Sequence, residues 1–140
     1  MTKVFVDSDV IIDFIIDREP FSDFAANLFD RFDNKEMLGY TSAQSLANLY
    51  YVLKKQTSHS HIIEAIEKLV TVIGILPIDL EIINQALRSD FSDFEDGIQN
   101  FCAESVGADA IVTRNLRDYR SARIPVFDPE SFDSYLQKIP

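Results

Sequence analysis

Apolar residues along this chain fall into short β-branched runs separated by longer stretches in which they recur at helical spacing. Lys3 to Val6 is such a run, closed by Asp7, and predicts a buried first strand. Val10, Ile11, Phe14 and Ile15 then mark a helix that Arg18-Glu19-Pro20 ends, because the residue before proline avoids helical angles. Ser22 opens a second amphipathic helix to about Phe32, with Phe24, Ala25, Leu28, Phe29 and Phe32 on one side. Met37 to Tyr40 predicts a second strand, and Thr41-Ser42 caps a third helix from Ala43 to Lys54 whose buried stripe is Ala43, Leu46, Tyr50 and Leu53.

Farther along, His59 to Leu69 is amphipathic, Val70 to Pro77 predicts a third strand although the run also suits a helix, and Leu80 to Leu87 predicts a further helix. Ser92-Asp93-Phe94-Glu95 has the form of a capping box at the head of a helix to about Val106, which Gly107 terminates. Ala110 to Val112 and Ile124 to Val126 predict strands four and five, and Pro129 to Leu136 a last helix. Strands separated by helices imply parallel pairing through right-handed crossovers. The expected fold is therefore a single three-layer α/β/α sandwich around a parallel sheet of about five strands.

Composition narrows the setting. Of 140 residues, 46% are hydrophobic and only 4 are Gly, enough apolar material for a core of its own. The one cysteine, Cys102, sits in an apolar helical run and reads as a small buried hydrophobe rather than a nucleophile. No intrachain disulfide is possible, and neither a leader-like start nor a membrane-length apolar run is present, so a cytoplasmic protein is expected. A net charge of -10 excludes broad electrostatic adhesion to nucleic acid. It does not exclude a phosphate site in which bound cations invert the local field.

In open parallel sheets, ligands bind beyond the carboxyl ends of the strands. Asp7 follows strand one directly, with Asp9 and Asp13 behind it, and Asn48 lies one turn into the helix after strand two. Asp96 is in the first turn of its helix, and Thr113, Asn115 and Asp118 follow strand four. Oxygen donors of this kind suit Mg²⁺ or Mn²⁺. Repulsion among Asp7, Asp96 and Asp118 makes such a cluster costly without a cation, and a cation there favours attack of water on a phosphodiester.

Each residue also has a plainer reading. Asp7 serves equally as a helix N-cap, Asp93, Glu95 and Asp96 suit the positive end of a helix dipole, and Asp13 is expected at the surface or in a local cap. Arg114, Arg117, Arg120 and Arg123 form a basic stretch that either holds RNA phosphates, Arg114 and Arg117 foremost, or is a solvated loop. His59 and His61 are expected at the surface, and Tyr50 in the core.

Four segments, Val4-Phe-Val-Asp7-Ser-Asp9-Val-Ile-Ile-Asp13, Thr41-Ser-Ala-Gln-Ser-Leu-Ala-Asn48-Leu-Tyr-Tyr-Val-Leu, Asp93-Phe-Glu-Asp96-Gly-Ile and Gly107-Ala-Asp-Ala-Ile-Val-Thr113-Arg-Asn115-Leu-Arg-Asp118-Tyr, resemble the motifs of the PIN domain in order and spacing. The resemblance implies a metal-dependent endoribonuclease, often the VapC-type toxin of a toxin–antitoxin pair. It casts Asp7 and Asp96 as metal-binding and catalytic, Asp118 as a catalytic accessory acid, Asp93 and Asn115 as further metal ligands, and Asp9, Asn48 and Thr113 as lining. Asn48 stands where that family usually has Glu, Asn115 where it commonly has Asp, and Asp9 where it often has Asn, which suggests a subgroup. It further implies RNA as substrate, a basic antitoxin directed at the acidic cleft, and a homodimer for which the aromatic second helix offers surface. Two alternatives stand beside it: a PIN-like RNA- or protein-binding module without turnover, and a haloacid-dehalogenase-like phosphatase using Asp7-Ser8-Asp9. The second fits the later segments poorly: it needs a Lys or Arg placed before its final acidic pair, and no lysine occurs between Lys68 and Lys138.

Overall fold

A computed structural model of the chain describes residues 1–139. Strand β1 (Lys3–Val6) leads through α1 (Ser8–Ile15) and α2 (Ser22–Asp33) to β2 (Leu38–Ser42). Next come α3 (Ala43–Leu53), α4 (His59–Val72), β3 (Gly74–Leu76), α5 (Leu80–Leu87) and α6 (Phe94–Ser105). The chain ends with β4 (Ala110–Val112), a 3-10 turn (Leu116–Tyr119), β5 (Val126–Phe127) and α7 (Pro129–Lys138). All neighbouring strands pair in parallel, in the order β3-β2-β1-β4-β5.

Alternation along the strands explains the three layers. Val4, Val6, Ala110 and Val112 face one way, into a core shared with Val10, Ile11, Leu28, Phe29, Leu49, Ile62 and Phe132. Phe5 and Ile111 face the other way, onto Ile82, Ile98, Cys102 and Tyr119 from α5, α6 and the 3-10 turn. Cys102 is buried as expected, and burial, with Asp79 nearby, pushes its thiol up to about 11. After β1 the chain builds β2 and β3 on one side, then returns to place β4 and β5 on the other. The direction of winding therefore reverses between β1 and β4, and a crevice opens beyond their carboxyl ends.

Several local expectations change. Val70 to Val72 form the last turn of α4 rather than the start of a strand, and β3 shrinks to three residues. Val70 is 48% exposed while Leu69 is buried, the mark of an amphipathic helix face rather than a buried strand. In α3 the buried stripe is Ser45, Leu49 and Leu53, and Ala43 is exposed, because the helix is turned to set Ser45 beneath the crevice. Strand β5 lies slightly later than expected. Phe29 and Phe32 of α2 are consumed by the core, so this helix offers less free apolar surface than its composition suggests; Phe14 of α1, stacked on Phe29 at 4.7 Å, is the more exposed ring.

Helix α6 starts one residue later than the capping box implies. Asp93, not Ser92, is its N-cap, accepting from the Asp96 amide at 3.0 Å. Its far end closes in a Schellman motif: the Gly107 amide donates to the Glu104 carbonyl and the Ala108 amide to that of Ala103. Gly107 takes φ +69° there, the left-handed region where glycine carries no side-chain penalty.

Candidate active site

Asp7 ends β1 and caps α1, accepting the Ser8 amide on Oδ1 at 2.8 Å. Its other oxygen, Oδ2, accepts from Thr113 Oγ1 at 2.9 Å and from Tyr119 Oη at 3.2 Å. Asp7 is thus both the expected cap and a wall of the crevice. The loop after β4 supplies most of the donors. The Arg114 amide and Asn115 Nδ2 both donate to Asp9 Oδ2, each at 3.1 Å, while the Asn115 amide donates to Thr113 Oγ1.

Asp7, Ser8, Asp9, Gln44, Ser45, Asn48, Glu95, Asp96, Gln99 and Asn115 line one cleft of about 190 Å³. Residues from β1, α1, α3, α6 and the loop after β4 therefore meet at the reversal point of the sheet. Asn48 donates to Ser8 Oγ at 3.2 Å, which leaves its carbonyl oxygen uncommitted. Asp93 spends one oxygen as a helix cap outside this lining, and Asp118 is exposed on the 3-10 turn, where its charge is still felt by Asp7 and Asp96.

Electrostatics in the cleft are strained. Burial pushes the Asp7 carboxyl above its ordinary value, against the hydrogen bonds from Thr113, Ser8 and Tyr119. Asp9 is pushed up to about 7, chiefly by burial and then by the charge of Asp7. Asp96 also reaches about 7, through burial and the charges of Asp93, Asp118, Asp7 and Glu95. Asp9 Oδ1 is buried without any hydrogen-bond partner. Carboxylates so placed fit a divalent cation, which would neutralise their repulsion and give the unpartnered Asp9 Oδ1 a partner. Among the described residues, no three His, Cys, Asp or Glu side chains form a ligand group by themselves. The lining adds further oxygen donors, among them the amide oxygens of Asn48 and Asn115 and the carboxylate of Glu95.

Two expectations need correction. Asp13 is neither a surface residue nor a local cap: it is 1% exposed and accepts both Arg114 Nε at 2.6 Å and Arg114 Nη2 at 3.2 Å, with Arg18 Nε at 3.7 Å. Arg114, placed among the RNA-binding arginines, consequently has its guanidinium fork committed to Asp13 and its plane over Phe21 at 4.2 Å. Arg117, Arg120 and Arg123 are exposed, as are His59 and His61. Sequence reasoning also missed Tyr119 and Gln99. Gln99 is 7% exposed and accepts from both Ser42 Oγ at 2.6 Å and Ser45 Oγ at 3.1 Å, tying α6 to the start of α3 one turn after Asp96. Gln99 carries no signal in the sequence beyond being polar within the buried face of α6, and Tyr119 none beyond being an aromatic after two charged residues in the 3-10 turn.

A parallel α/β sandwich with half-buried carboxylates gathered at its switch point defines the class: an α/β protein with an acidic, cation-suited cleft. Residues 3–117 match the PIN domain, and the chain belongs to that family. It is similar to Ribonuclease VapC1 of Aquifex aeolicus (strain VF5), at 27% identity over 93% of this chain and 92% of that protein. Among solved structures, VapBC2 from Rickettsia felis bound to a DNA fragment from its promoter matches with TM-score 0.72 and 13% identity, over 91% of this chain and 98% of that one. DNA-bound VapBC from Salmonella typhimurium matches with TM-score 0.70 and 19% identity, over 92% and 99%. At such identities these structures speak for the fold alone. The family assignment leaves the phosphatase-like reading of Asp7-Ser8-Asp9 without support.

Proposed function

We propose that this chain is a metal-dependent endoribonuclease, a single cytoplasmic PIN domain acting as the toxin of a toxin–antitoxin pair. The observation that carries the reading is the meeting of Asp7, Asp9 and Asp96 in one cleft, each carboxyl pushed upward in the absence of a cation. The similarity to Ribonuclease VapC1 supplies the substrate class. In this reading Mg²⁺ or Mn²⁺ is held by Asp7 and Asp96, with Asp9, Asn115 and Asn48 beside them. When bound, such an ion neutralises a scissile phosphate and acidifies water for in-line attack.

The chain's own residues then have distinct tasks. Thr113 and Tyr119 hold Asp7 Oδ2 in place, and Asn115 and the Arg114 amide hold Asp9 Oδ2. Asp118 adds negative charge felt by Asp7 and Asp96, and Arg117, exposed on the same 3-10 turn, is free to meet an RNA phosphate. Asp93 supports Asp96 by capping the helix that carries it. A partner that inserts Lys or Arg into this cleft would displace the cation and close the site, the role proposed for a basic antitoxin. Among the described residues no helix is long and apolar enough to cross a membrane.

A second reading, an RNA-binding module without turnover, is favoured by Asn48 and Asn115, whose amides carry no charge to hold a cation. Incubating the protein with single-stranded RNA and Mn²⁺ or Mg²⁺, beside an Asp7→Asn control, separates the two. Cleavage by the native chain that is lost in the control supports the nuclease; equal cleavage by both, or none by either, contradicts it.

A further inference from the structure

We propose that Asp13 and Arg114 form a buried lock that holds the segment Thr113–Asn115 against Asp7 and Asp9, making both positioning residues of the cleft. Asp9 and Asp13 lie one helical turn apart on the same face of α1. They grip one residue twice. Asp9 Oδ2 accepts the Arg114 backbone amide at 3.1 Å, and Asp13 takes the Arg114 fork through Nε at 2.6 Å and Nη2 at 3.2 Å. On either side of Arg114, Thr113 donates to Asp7 and Asn115 donates to Asp9. A shift of Arg114 would therefore move three donors at once.

Stability alone is a poor reason for this pair. Taking two charges out of water costs about as much as their attraction returns, so a buried ion pair is weak evidence of stabilisation. What a forked pair does supply is orientation, since two parallel hydrogen bonds fix the guanidinium plane, and Phe21 beneath it at 4.2 Å removes the remaining rotation. Arg18, at 3.7 Å from Asp13, is half-exposed and offers no such fork. Lysine at position 114 would keep the charge and lose the plane.

The purpose of the lock rests on the cation reading above, but its existence is tested without any cation. Amide hydrogen exchange is measured on metal-free native protein and on Arg114→Lys. The lock predicts that exchange at residues 114 and 115 rises by about tenfold or more while β1 and β4 amides stay as they were. Asp13→Asn is the more direct variant, yet changing a fully buried side chain that also pairs with Arg18 threatens the fold, so Arg114→Lys carries the test. Titration with Mn²⁺ alone then asks about the cleft, and Arg114→Lys is expected to bind about tenfold more weakly. Rates at 114 and 115 within twofold of native, or rates rising equally at every amide, overturn the lock. Local loosening with unchanged Mn²⁺ affinity overturns its role in the cleft. Local loosening in a chain whose native form binds no Mn²⁺ upholds the lock and sinks the cation reading instead.

Discussion

Asn115 donates through Nδ2 to Asp9 Oδ2 at 3.1 Å, so an amide and a carboxylate face each other across the cleft from loop and helix. The family resemblance has the two residue types commonly reversed, with the acid in the loop and the amide on the helix. One negative charge is thus kept in the pair, and only its side has changed.

Asn115→Asp should therefore harm the cation-free protein, because it sets two carboxylates within hydrogen-bond distance and pushes Asp9 still higher. Adding Asp9→Asn in the same chain restores one acid and one amide. Thermal unfolding in chelator should show a lowered midpoint for Asn115→Asp and recovery toward native in the double variant. A double variant no better than the single one would show that the two side chains do not act as a pair.

Stability of the cation-free protein should depend on pH in a defined direction. Asp9 and Asp96 titrate near 7 when folded, against 3.8 for the ordinary group, so the folded chain binds protons that the unfolded chain has released. Below the unfolded value there is no penalty; between it and about pH 7 the penalty grows, and above pH 7 it is constant. Urea midpoints in chelator should fall from pH 5 to pH 7 more steeply for the native chain than for Asp9→Asn/Asp96→Asn. Parallel slopes in the two proteins would refute the assignment.

Tyr119→Phe keeps the ring, packed edge-on against Phe91 at 6.2 Å, and removes one donor from Asp7 Oδ2. A hydrogen bond to a carboxylate favours its charged form, so losing it raises the Asp7 carboxyl further. The acid limb of the pH–rate profile should move to higher pH, with little loss of folding stability. A uniform drop in rate at every pH would mean that Tyr119 contributes only packing.

Much of this organisation was legible before any coordinates, and the failures have physical causes. The sheet and its helices followed from apolar periodicity and from caps at Asp7, Ser42 and Gly107, all local signals. The rule that parallel sheets bind ligands at their carboxyl ends brought Asp7 and Asp96 together, with Asp9 beside them. It also put Asp118 in the cluster, and Asp118 is exposed on the 3-10 turn outside the cleft lining. Asp13 was misread because its partner, Arg114, lies 101 residues away and nothing local announces burial of a helix acid. Val70 to Val72 was misread because a short apolar run suits a buried strand and a helix turn equally. Tyr119 and Gln99 were invisible because each owes its role to partners brought by other elements of the fold.

The most direct measurement is calorimetric titration of metal-free protein with Mn²⁺ near pH 7, comparing the native chain with Asp96→Asn. Saturable binding by the native chain and at least about tenfold weaker binding by the variant are expected, since removal of a charged ligand is worth 1.4 kcal/mol or more. No binding by the native chain, or equal binding by both, would contradict a cation site built on these carboxylates.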